Sequence, residues 1–382
     1  MKKICFVTTI SITLKSFVVE TAKYLHNECG YDVTLICDND EEFAKSLPEY
    51  IHYVPVRMSR GIDFSGFSSV INFMKVFRKE KFDMIQYSTP NAACYASIAS
   101  FLVRVPIRLY AQWGIRYIGF EGILRKNFKF IEKIVCKLST HIRSVSPLNM
   151  QFALDEGLYK KEKVKVVGNG GTIGVDMFAY DISQKELWKK EIREKYNINE
   201  KDFVFGFAGR ISVEKGCTEL LTAFRNIAET NKNTKLLVVG PVENDCGVPK
   251  DILHWANTSD SVILVGKVDN VEMKRYYSAM DILVHPTYRE GFGMVIQESG
   301  ALALPVITTR IIGASEVMVD GESCILVEPK NTSDLQSAMS DLLSDTDKTK
   351  KMGIGAYERT KKLYDRPIML ENLKNDYIEL LK

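Results

Sequence analysis

The stretch His285-Pro286-Thr287-Tyr288-Arg289-Glu290-Gly291-Phe292-Gly293-Met294-Val295-Ile296-Gln297-Glu298 follows an apolar run and contains two glutamates eight positions apart. The run from Asp281 to Val284 predicts a buried strand, and the residues from Gly291 to Leu302 have helical spacing. Glu290 is therefore expected in a strand-to-helix turn, where a doubly wound sheet binds its ligands. The two glycines of this turn allow a diphosphate to approach backbone N–H groups at a positive helix end.

The spacing of the two glutamates suits the two ends of one long ligand. Eight residues at 1.5 Å of rise would separate the two positions by roughly 12 Å if the whole stretch were helical. A glycosidase pair requires carboxyl groups about 5 to 9.5 Å apart across one bond. The motif therefore favours the binding of a sugar nucleotide over the hydrolysis of a glycoside.

A second motif lies about eighty residues earlier and reads FVFGFAGRISVEKG from Phe203 to Gly216. It predicts a strand, a Gly209-Arg210 turn, and a lysine, Lys215, that opens the next helix. Arg210 offers a planar fork of donors for phosphate oxygens, and Lys215 adds a compact point charge. Together the two cations predict a place where a departing nucleoside diphosphate is stabilised as it gains negative charge.

The two motifs resemble those of the retaining glycosyltransferases of family 4. The resemblance implies an α/β fold of GT-B architecture, with two facing Rossmann-like domains, parallel sheets and a central cleft. The likeness covers nearly the whole chain, and further matching segments are Ile4 to Thr9, Arg104 to Gly122, Ser144-Val145-Ser146, Gly168-Asn169-Gly170 and Gly174-Val175-Asp176.

The resemblance also implies roles for single residues. Arg210 and Lys215 would bind the donor diphosphate, Glu290 would contact the transferred sugar, and Glu298 would hold the ribose hydroxyls. Glu290, Arg210 and Lys215 are therefore the catalytic candidates. The full set of donor-binding candidates is Gly209, Arg210, Lys215, Glu290, Gly291, Phe292, Gly293 and Glu298.

Two segments depart from the family pattern. Residues 8–13, Thr-Thr-Ile-Ser-Ile-Thr, stand where the family often has a glycine-rich loop. Residues 112–117, Gln-Trp-Gly-Ile-Arg-Tyr, stand where many relatives carry His-Gly, so that Trp113 occupies the histidine position. A tryptophan offers a sugar an apolar ring face and one N–H donor. The candidates for sugar or acceptor contacts in these segments are Gln112, Trp113, Arg116, Thr9 and Ser11.

Three other positions leave two interpretations open. Asp38-Asn39-Asp40 has the acid-x-acid form of a metal site in another glycosyltransferase architecture, but a polar loop explains it better. His285 either reaches the site or packs on the sheet. Glu316 follows Gly313 in a turn similar to one in the family, where it would either assist the site or cap the next helix.

Length and composition describe an ordinary globular chain of two domains, with 382 residues, 46% hydrophobic and 26% charged. The sequence has no run of about twenty apolar residues, and a strand follows too soon after Met1 for a secretory signal, so we expect a cytoplasmic protein. Eight dispersed cysteines without a Cys-x-x-Cys motif predict buried thiols rather than disulfides or a zinc site.

Charge is distributed unevenly along the chain. Residues 1–170 carry 24 Lys or Arg against 16 Asp or Glu, whereas residues 171–382 carry 27 against 32. The basic excess is dense from Arg116 to Lys137, where aromatic residues alternate with cations. This segment predicts either contact with an anionic membrane surface or an ordinary amphipathic helix whose Phe and Ile side chains face the core. Nucleic acid is not an expected partner, because no binding motif accompanies the excess.

Short strands alternate with helical stretches in both halves, as a parallel sheet requires. Residues 1–180 are the predicted acceptor-binding Rossmann-like domain, and residues 181–366 the predicted nucleotide-sugar-binding one. By resemblance, the closing helix 367–382 would cross back to the first. The predicted strands are Lys3 to Thr9, Asp32 to Cys37, Met84 to Tyr87, Ile107 to Ala111, His141 to Ser144, Val164 to Val167, Phe203 to Ala208, Lys235 to Val239, Val262 to Val265, Asp281 to Val284, Pro305 to Thr308 and Cys324 to Val327.

The resemblance implies a metal-independent transfer that retains anomeric configuration and needs no cofactor besides a nucleotide-sugar donor. Uridine diphosphate sugars are the expected donors on family base rates. The expected acceptor is a saccharide on a polyprenyl diphosphate, in the synthesis of a bacterial capsule or O-antigen, with peripheral contact at the cytoplasmic face of the inner membrane.

Three alternatives stay open on the sequence. A nucleotide-sugar epimerase or a phosphorylase has the same architecture. A donor-binding subunit without catalysis is the non-enzyme alternative, because Trp113 replaces the histidine of relatives. A nicotinamide dehydrogenase is disfavoured, because neither first strand is followed by Gly-x-Gly-x-x-Gly.

Overall fold

The computed structural model describes residues 1–58, 65–243 and 245–382. These residues form two compact units. The amino-terminal unit comprises Met1–Ile173 together with Pro367–Lys382, and the carboxyl-terminal unit comprises Gly174–Arg366. Each unit is a parallel sheet covered by helices, and the α/β class with two Rossmann-like domains is confirmed.

The boundary between the units falls earlier than the predicted division after residue 180. The backbone N–H of Val175 donates to the carbonyl of Tyr364 at 2.8 Å. Arg366 forms an ion pair with Asp176 at 3.3 Å. Because these contacts lie within the carboxyl-terminal unit, the chain joins that unit from Gly174 onward.

The amino-terminal unit contains seven parallel strands in the order β3-β2-β1-β4-β5-β6-β7. The strands are β1 (Lys3–Val7), β2 (Asp32–Cys37), β3 (Ile51–Pro55), β4 (Met84–Tyr87), β5 (Ile107–Gln112), β6 (His141–Ser144) and β7 (Val164–Val166). The helices are α1 (Ser11–Phe17), α2 (Val19–Cys29), α3 (Glu41–Ser46), α4 (Ser65–Glu80), α5 (Pro90–Leu102), α6 (Gly122–Leu138) and α7 (Pro147–Asp155), and the closing helix is α15 (Arg366–Leu380).

Both faces of this sheet are buried. Successive side chains of a strand point to opposite faces. Accordingly, Ile4 and Phe6 of β1 enter one hydrophobic core, and Cys5 and Val7 enter the other. A sheet covered by helices on both sides requires this near-continuous apolar run rather than a polar alternation.

Helix α15 packs on the amino-terminal unit through apolar residues and one buried ion pair. Leu373 and Tyr377 belong to the core cluster that also contains Ile4 and Phe6. The guanidinium of Arg143 on β6 binds the carboxylate of Asp376, and both side chains are buried. The end of the chain thereby completes the core of the unit that contains its beginning.

The carboxyl-terminal unit contains six parallel strands in the order β10-β9-β8-β11-β12-β13. The strands are β8 (Phe203–Ala208), β9 (Thr234–Val239), β10 (Val262–Gly266), β11 (Ile282–His285), β12 (Val306–Thr309) and β13 (Cys324–Val327). The helices are α8 (Lys185–Lys195), α9 (Cys217–Thr230), α10 (Lys250–Thr258), α11 (Met273–Ala279), α12 (Met294–Ala301), α13 (Thr332–Ser344) and α14 (Thr346–Leu363).

The strand order of this sheet reverses beside β8. The chain proceeds from β8 through β9 to β10 on one side and then returns to β11 on the other. Strands β8 and β11 are neighbours, with Ile282 opposite Phe205 and Leu283 opposite Gly206. Ligands of doubly wound sheets bind at the carboxyl ends of strands at such a reversal. Both sequence motifs therefore end at the same point of the sheet.

Each strand predicted from the sequence is present, with ends that shift by at most two residues. The prediction missed β3, Ile51–Pro55. This strand lies at the edge of its sheet, and most of its residues are only partly buried or exposed. An edge position needs no continuous apolar run, so that His52 and Pro55 are accepted there and obscure the pattern.

Candidate functional site

The turn after β8 carries the second motif, from Phe203 to Gly216. Residues Val213–Lys215 form a single 3-10 turn, and Gly216 follows with a left-handed φ of 70° before α9 begins. The prediction that Lys215 opens the helix is therefore wrong, because α9 begins only at Cys217. Lys215 ends the preceding turn, and its side chain is directed towards the loop after β11.

Lys215, Glu290 and His285 form one contact cluster at the carboxyl ends of β8 and β11. The Nζ of Lys215 lies 2.8 Å from Oε2 of Glu290. The Nε2 of His285 lies 3.0 Å from the same oxygen. The other carboxylate oxygen, Oε1, accepts the backbone N–H of Gly291 at 3.1 Å. The structure thus brings together two of the three predicted catalytic residues, and it adds a histidine.

The electrostatics of this cluster keep Glu290 ionised. Burial by itself raises the pKa of Glu290, but the Lys215 ammonium and the His285 hydrogen bond outweigh burial and hold the pKa well below its usual range. Burial lowers the pKa of His285; Lys215 acts in the same direction and Glu290 opposes them. The cluster therefore contains a carboxylate, an ammonium and a neutral imidazole at neutral pH.

Backbone contacts hold the two motif loops together. The carbonyl of Glu214 accepts the N–H of Tyr288 at 2.8 Å. A Cβ atom placed on Gly216 would lie 2.0 Å from the carbonyl oxygen of Pro286. Only glycine allows this approach at a left-handed φ. The sequence motifs contain these residues but give no sign that the loops touch.

Glu298 lies on α12, which begins at Met294 rather than at Gly291. The helix starts late because Gly293 has a left-handed φ of 51°. Glu290 and Glu298 are therefore not on one helix, and the predicted 12 Å axial separation does not apply.

Glu298 is a second titratable group with a shifted pKa. The hydroxyl of Tyr277 donates to its carboxyl at 2.9 Å. Burial raises the pKa of Glu298 to about 7, although the Tyr277 hydrogen bond and the charge of Arg366 oppose the rise. Near neutral pH the unliganded protein therefore contains both the protonated and the ionised form of this residue.

Arg210 does not join the Lys215 cluster in the part of the chain that the structure describes. Its guanidinium is exposed and forms an ion pair with Glu243. A diphosphate at this turn would have to replace Glu243 as the partner of Arg210. Sequence reasoning missed Glu243, because this residue lies outside both motifs.

Phe292 and Gly291, two of the predicted donor-binding residues, already have partners within the protein. Phe292 is buried, and its ring packs edge-on against Tyr364 with centroids 5.7 Å apart. Its side chain therefore belongs to the core, and only its backbone lies in the motif loop. Gly291 uses its N–H for Glu290, as described above. Near this loop, Glu316 accepts the N–H of Gly313 at 3.1 Å. The described residues between β12 and β13 form turns rather than a helix, so Glu316 does not cap a helix there.

Gln112 is placed differently from its prediction as a sugar contact. It is fully buried, and its Nε2 donates to Glu132 of α6 at 2.7 Å. Its Oε1 accepts from Asn149 and from Tyr159, each at 3.1 Å. Both amide atoms are thus occupied inside the amino-terminal unit. Glu132, an acid within an apolar helical stripe, was the sequence signal that a buried partner was needed.

The other amino-terminal candidates are partly exposed, except Arg116, which is exposed. Trp113 packs against Phe17 with ring centroids 5.4 Å apart. The guanidinium of Arg116 lies over the ring of Phe128, 4.6 Å from its centroid. The hydroxyl groups of Thr9 and Thr89 form a hydrogen bond, with 2.7 Å between their oxygens.

Ser11 and the acid-x-acid segment belong to one capping arrangement. The Ser11 hydroxyl donates to Asp40 at 2.5 Å. Asp40 also accepts the N–H of Phe43 at 2.9 Å and so caps α3. Within residues 1–58, 65–243 and 245–382, no group of three His, Cys, Asp or Glu side chains is arranged to hold a metal ion. The eight cysteines are unpaired thiols.

Helix α6 buries some of the apolar and aromatic side chains of the basic segment and exposes others. Phe128 and Ile131 pack against the core of the amino-terminal unit. Ile123, Leu124 and Phe130 are exposed, with 77%, 57% and 65% of their surface accessible. We call these three residues, together with the exposed Lys126, Lys133 and Lys137, the α6 face. Among the described helices, none is long and apolar enough to cross a membrane.

Two family models match the chain. Residues 3–146 match the model described as glycosyl transferase 4-like, and residues 189–359 match the model of group 1 glycosyl transferases. Both motif loops of the carboxyl-terminal unit fall inside the second match. Together the two matches include nearly all of the strands described above.

Curated relatives resemble the chain over most of its length. The capsular polysaccharide biosynthesis glycosyltransferase CapM of Staphylococcus aureus is 29% identical over 352 residues, which is 92% of this chain and 90% of the relative. The UDP-Gal:alpha-D-GlcNAc-diphosphoundecaprenol alpha-1,3-galactosyltransferase of Escherichia coli is 24% identical over 326 residues, covering 83% of this chain and 80% of the relative.

Solved structures share the fold at low sequence identity. A glycosyltransferase from Rickettsia africae matches with a TM-score of 0.82 and 21% identity, over 100% of this chain and 99% of that one. Anabaena Alr3699/HepE, in complex with UDP and glucose, matches with a TM-score of 0.81 and 18% identity, over 99% and 100% of the two chains. At such identities, the likeness supports the fold alone.

Proposed function

This chain belongs to the group 1 glycosyltransferases, with a family 4-like amino-terminal part, and we propose that it transfers a sugar from a UDP-sugar to a lipid-linked saccharide in bacterial surface polysaccharide synthesis. The observation that carries the proposal is the Lys215–Glu290 contact at the strand-order reversal. A cation for the diphosphate and an anion for the sugar then lie within one hydrogen bond of each other.

Lys215 is suited to the donor diphosphate. Its ammonium is partly exposed and stands directly before α9, whose first N–H groups add positive potential. As the bond between the sugar and the diphosphate breaks, negative charge builds on the leaving oxygen. A preorganised cation beside that oxygen lowers the barrier. Uridine is supported by the UDP-Gal in the name of the E. coli relative.

Glu290 is suited to hold the sugar rather than to attack it. Its pKa is held well below the usual range, and two donors share its Oε2. A carboxylate stabilised in this way is a weak nucleophile. We therefore propose that the leaving phosphate oxygen accepts the proton of the acceptor hydroxyl, while the new glycosidic bond forms on the face that the phosphate leaves. This transfer retains anomeric configuration and requires no metal ion.

The acceptor is proposed to be a saccharide on a polyprenyl diphosphate. The name of the E. coli relative contains such an acceptor, and CapM is named for capsule synthesis. The α6 face gives physical support, because apolar side chains between lysines suit an anionic lipid surface. Such a surface would bring the amino-terminal unit to the membrane in which the carrier lipid is dissolved.

The first experiment is a donor panel. The protein is incubated with uridine, guanosine, adenosine and thymidine diphosphate sugars and a membrane lipid extract, with and without EDTA, and released nucleoside diphosphate is measured. We expect release from UDP-sugars that depends on lipid and is indifferent to EDTA. NMR of the product then reads the anomeric configuration, and an inverted product would overturn the retaining mechanism.

Other outcomes of the panel identify the alternatives. A free sugar epimer without lipid would indicate an epimerase, and a requirement for inorganic phosphate would indicate a phosphorylase. Binding of UDP without turnover, with every acceptor fraction supplied, would indicate a non-catalytic subunit. Each of these results contradicts the proposed transfer.

The membrane contact has its own test. Flotation with vesicles of phosphatidylglycerol is compared for wild type, Ile123→Glu and Phe130→Glu. The control is Ile354→Glu, which makes the same change at a residue of α14 that is 60% exposed. We expect binding to wild type and to the control, and loss of binding in both α6 variants. Equal binding of all four proteins would refute the role of the α6 face.

A further inference from the structure

His285 is a buried histidine that the proposed transfer does not yet use. It ends β11, is 1% exposed, and lies nearly parallel to the ring of Phe207, with centroids 6.4 Å apart. Its backbone carbonyl accepts the Thr308 hydroxyl at 2.9 Å. Because the ring is packed against Phe207 and the end of β11 is bonded to Thr308 of β12, the imidazole has little freedom to turn.

The hydrogen bonds of the ring define its tautomer. Glu290 is ionised and can only accept, so the Nε2 of His285, at 3.0 Å from Oε2, must carry the proton. The Nδ1 is buried without a partner among the described residues. A second proton at Nδ1 would be an unpaired buried donor, which costs more than an unused lone pair. The ring is therefore neutral, with its proton on Nε2.

The two oxygens of Glu290 differ in what surrounds them. Oε2 accepts from both Lys215 and His285, whereas Oε1 accepts the N–H of Gly291 in the described part of the chain. A carboxylate oxygen has room for a second donor. Oε1 is therefore the atom with capacity for a hydroxyl of a ligand.

Lys215 and His285 also differ in mobility. The lysine has a flexible stem and a partly exposed ammonium, whereas the imidazole is fixed in the core. A diphosphate near Lys215 competes with Glu290 for the ammonium. If Lys215 were the sole partner of Oε2, Glu290 would lose its anchor when the donor arrives.

We propose that His285 is a positioning residue that holds Oε2 of Glu290 as a neutral Nε2–H donor, so that Lys215 is free to engage the donor diphosphate while Oε1 faces the transferred sugar. This inference rests on the proposed donor site. The charged side chains that face the imidazole are Lys215, from the turn after β8, and Glu290, from its own loop. Strand β8 contributes the uncharged Phe207 ring.

The kinetic test compares two substitutions of this ring. His285→Phe keeps an aromatic ring but removes the donor, and His285→Gln places an amide N–H near the position of Nε2. We expect His285→Phe to lower kcat by about 10- to 100-fold, the range for a displaced reacting group, with a UDP dissociation constant near the wild-type value. We expect His285→Gln to recover most of the lost rate. Equal losses in both variants would overturn the positioning role.

The spectroscopic test does not require turnover. The chain contains five histidines, so that long-range ¹H–¹⁵N correlation of histidine-labelled protein is tractable, and the missing signal in His285→Gln assigns the residue. We expect the neutral Nε2–H pattern for His285 at neutral pH. His26→Gln is the control for loss of a histidine outside the site. An Nδ1–H pattern, or a doubly protonated ring at neutral pH, would overturn the inference even if the donor panel succeeds.

Discussion

The Nζ of Lys215 lies 2.8 Å from Oε2 of Glu290, although the two residues are 75 positions apart in the chain. The contact exists because β8 and β11 are neighbours and because Gly216 allows its loop to approach Pro286. The catalytic candidates are thus positioned by the centre of a sheet rather than by a mobile segment.

Removal of either partner should abolish most of the turnover. We expect Lys215→Met and Glu290→Gln each to lower the rate of nucleoside diphosphate release by about 100- to 1000-fold, the range for a preorganised electrostatic group. The double variant should lose much less than the product of the two, because both residues act on one transition state. Initial rates measure this, and circular dichroism checks the fold. Lys232→Met, two residues beyond the carboxyl end of α9, should retain its rate. Wild-type-like rates in the two site variants would refute the site.

Affinity for a UDP-sugar, whose diphosphate stays fully ionised on both sides of pH 7, should rise with pH through the pKa of Glu298. If the ribose hydroxyls donate to this residue, the ionised form binds, and burial has raised its pKa to about 7 in the unliganded protein. Calorimetry at several pH values should therefore show proton release on binding, and tighter binding as the pH rises through about 7.

The sign of this effect is testable with a second variant. The pKa of Glu298 is raised in the fold, so the protonated form stabilises the unliganded protein, and this contribution is lost as the pH rises through about 7. Tyr277→Phe removes a hydrogen bond that lowers the pKa of Glu298. The midpoint of the curve of affinity against pH should therefore move to higher pH in this variant. Glu298→Gln should bind the same UDP-sugar with no dependence on pH in this range. A pH-dependent Glu298→Gln variant would exclude Glu298 as the source.

Gly216→Ala should separate the two motif loops. The new Cβ would lie 2.0 Å from the oxygen of Pro286 at a φ of 70°. Gly321→Ala is the matched control, because Gly321 has a φ of 78° but no atom within 4 Å of the added Cβ. The control carries only backbone strain, of about 1 to 3 kcal/mol.

The difference in the free energy of unfolding between these two variants measures the cost of the steric clash at Gly216. Urea unfolding should show a larger loss of stability for Gly216→Ala than for Gly321→Ala, and donor turnover should fall only in Gly216→Ala. If both variants behaved alike, the contact between the loops would not be needed for activity.

Asp376→Asn should destabilise the amino-terminal unit. Arg143 would remain buried after losing its charged partner, and breaking such a pair costs about 3 to 5 kcal/mol. Urea unfolding measures this loss. Glu379→Gln removes an exposed partner of Lys165 and should cost about 1 kcal/mol or less. Comparable losses in the two variants would contradict the importance of the buried pair.

Local sequence pattern predicted the strands and the two motif turns because buried parallel strands leave long apolar runs. It failed where a distant partner decides the outcome. Gln112 is a core residue because Glu132, twenty positions later, needs donors. The role of His285 depends on the orientation of a ring that spacing does not determine. The helix after Glu290 starts late because the left-handed Gly293 interrupts an apparently helical pattern.

The buried contact between Arg143 and Asp376 spans 233 positions of sequence. During synthesis on a ribosome, the first 173 residues therefore emerge long before the helix that completes their core, and the whole carboxyl-terminal unit is made in between. Closing so long a loop is entropically costly, and the contacts of α15 offset that cost only once this helix has been made. The amino-terminal unit is thus expected to mature only after the carboxyl-terminal unit has been made, although it is translated first.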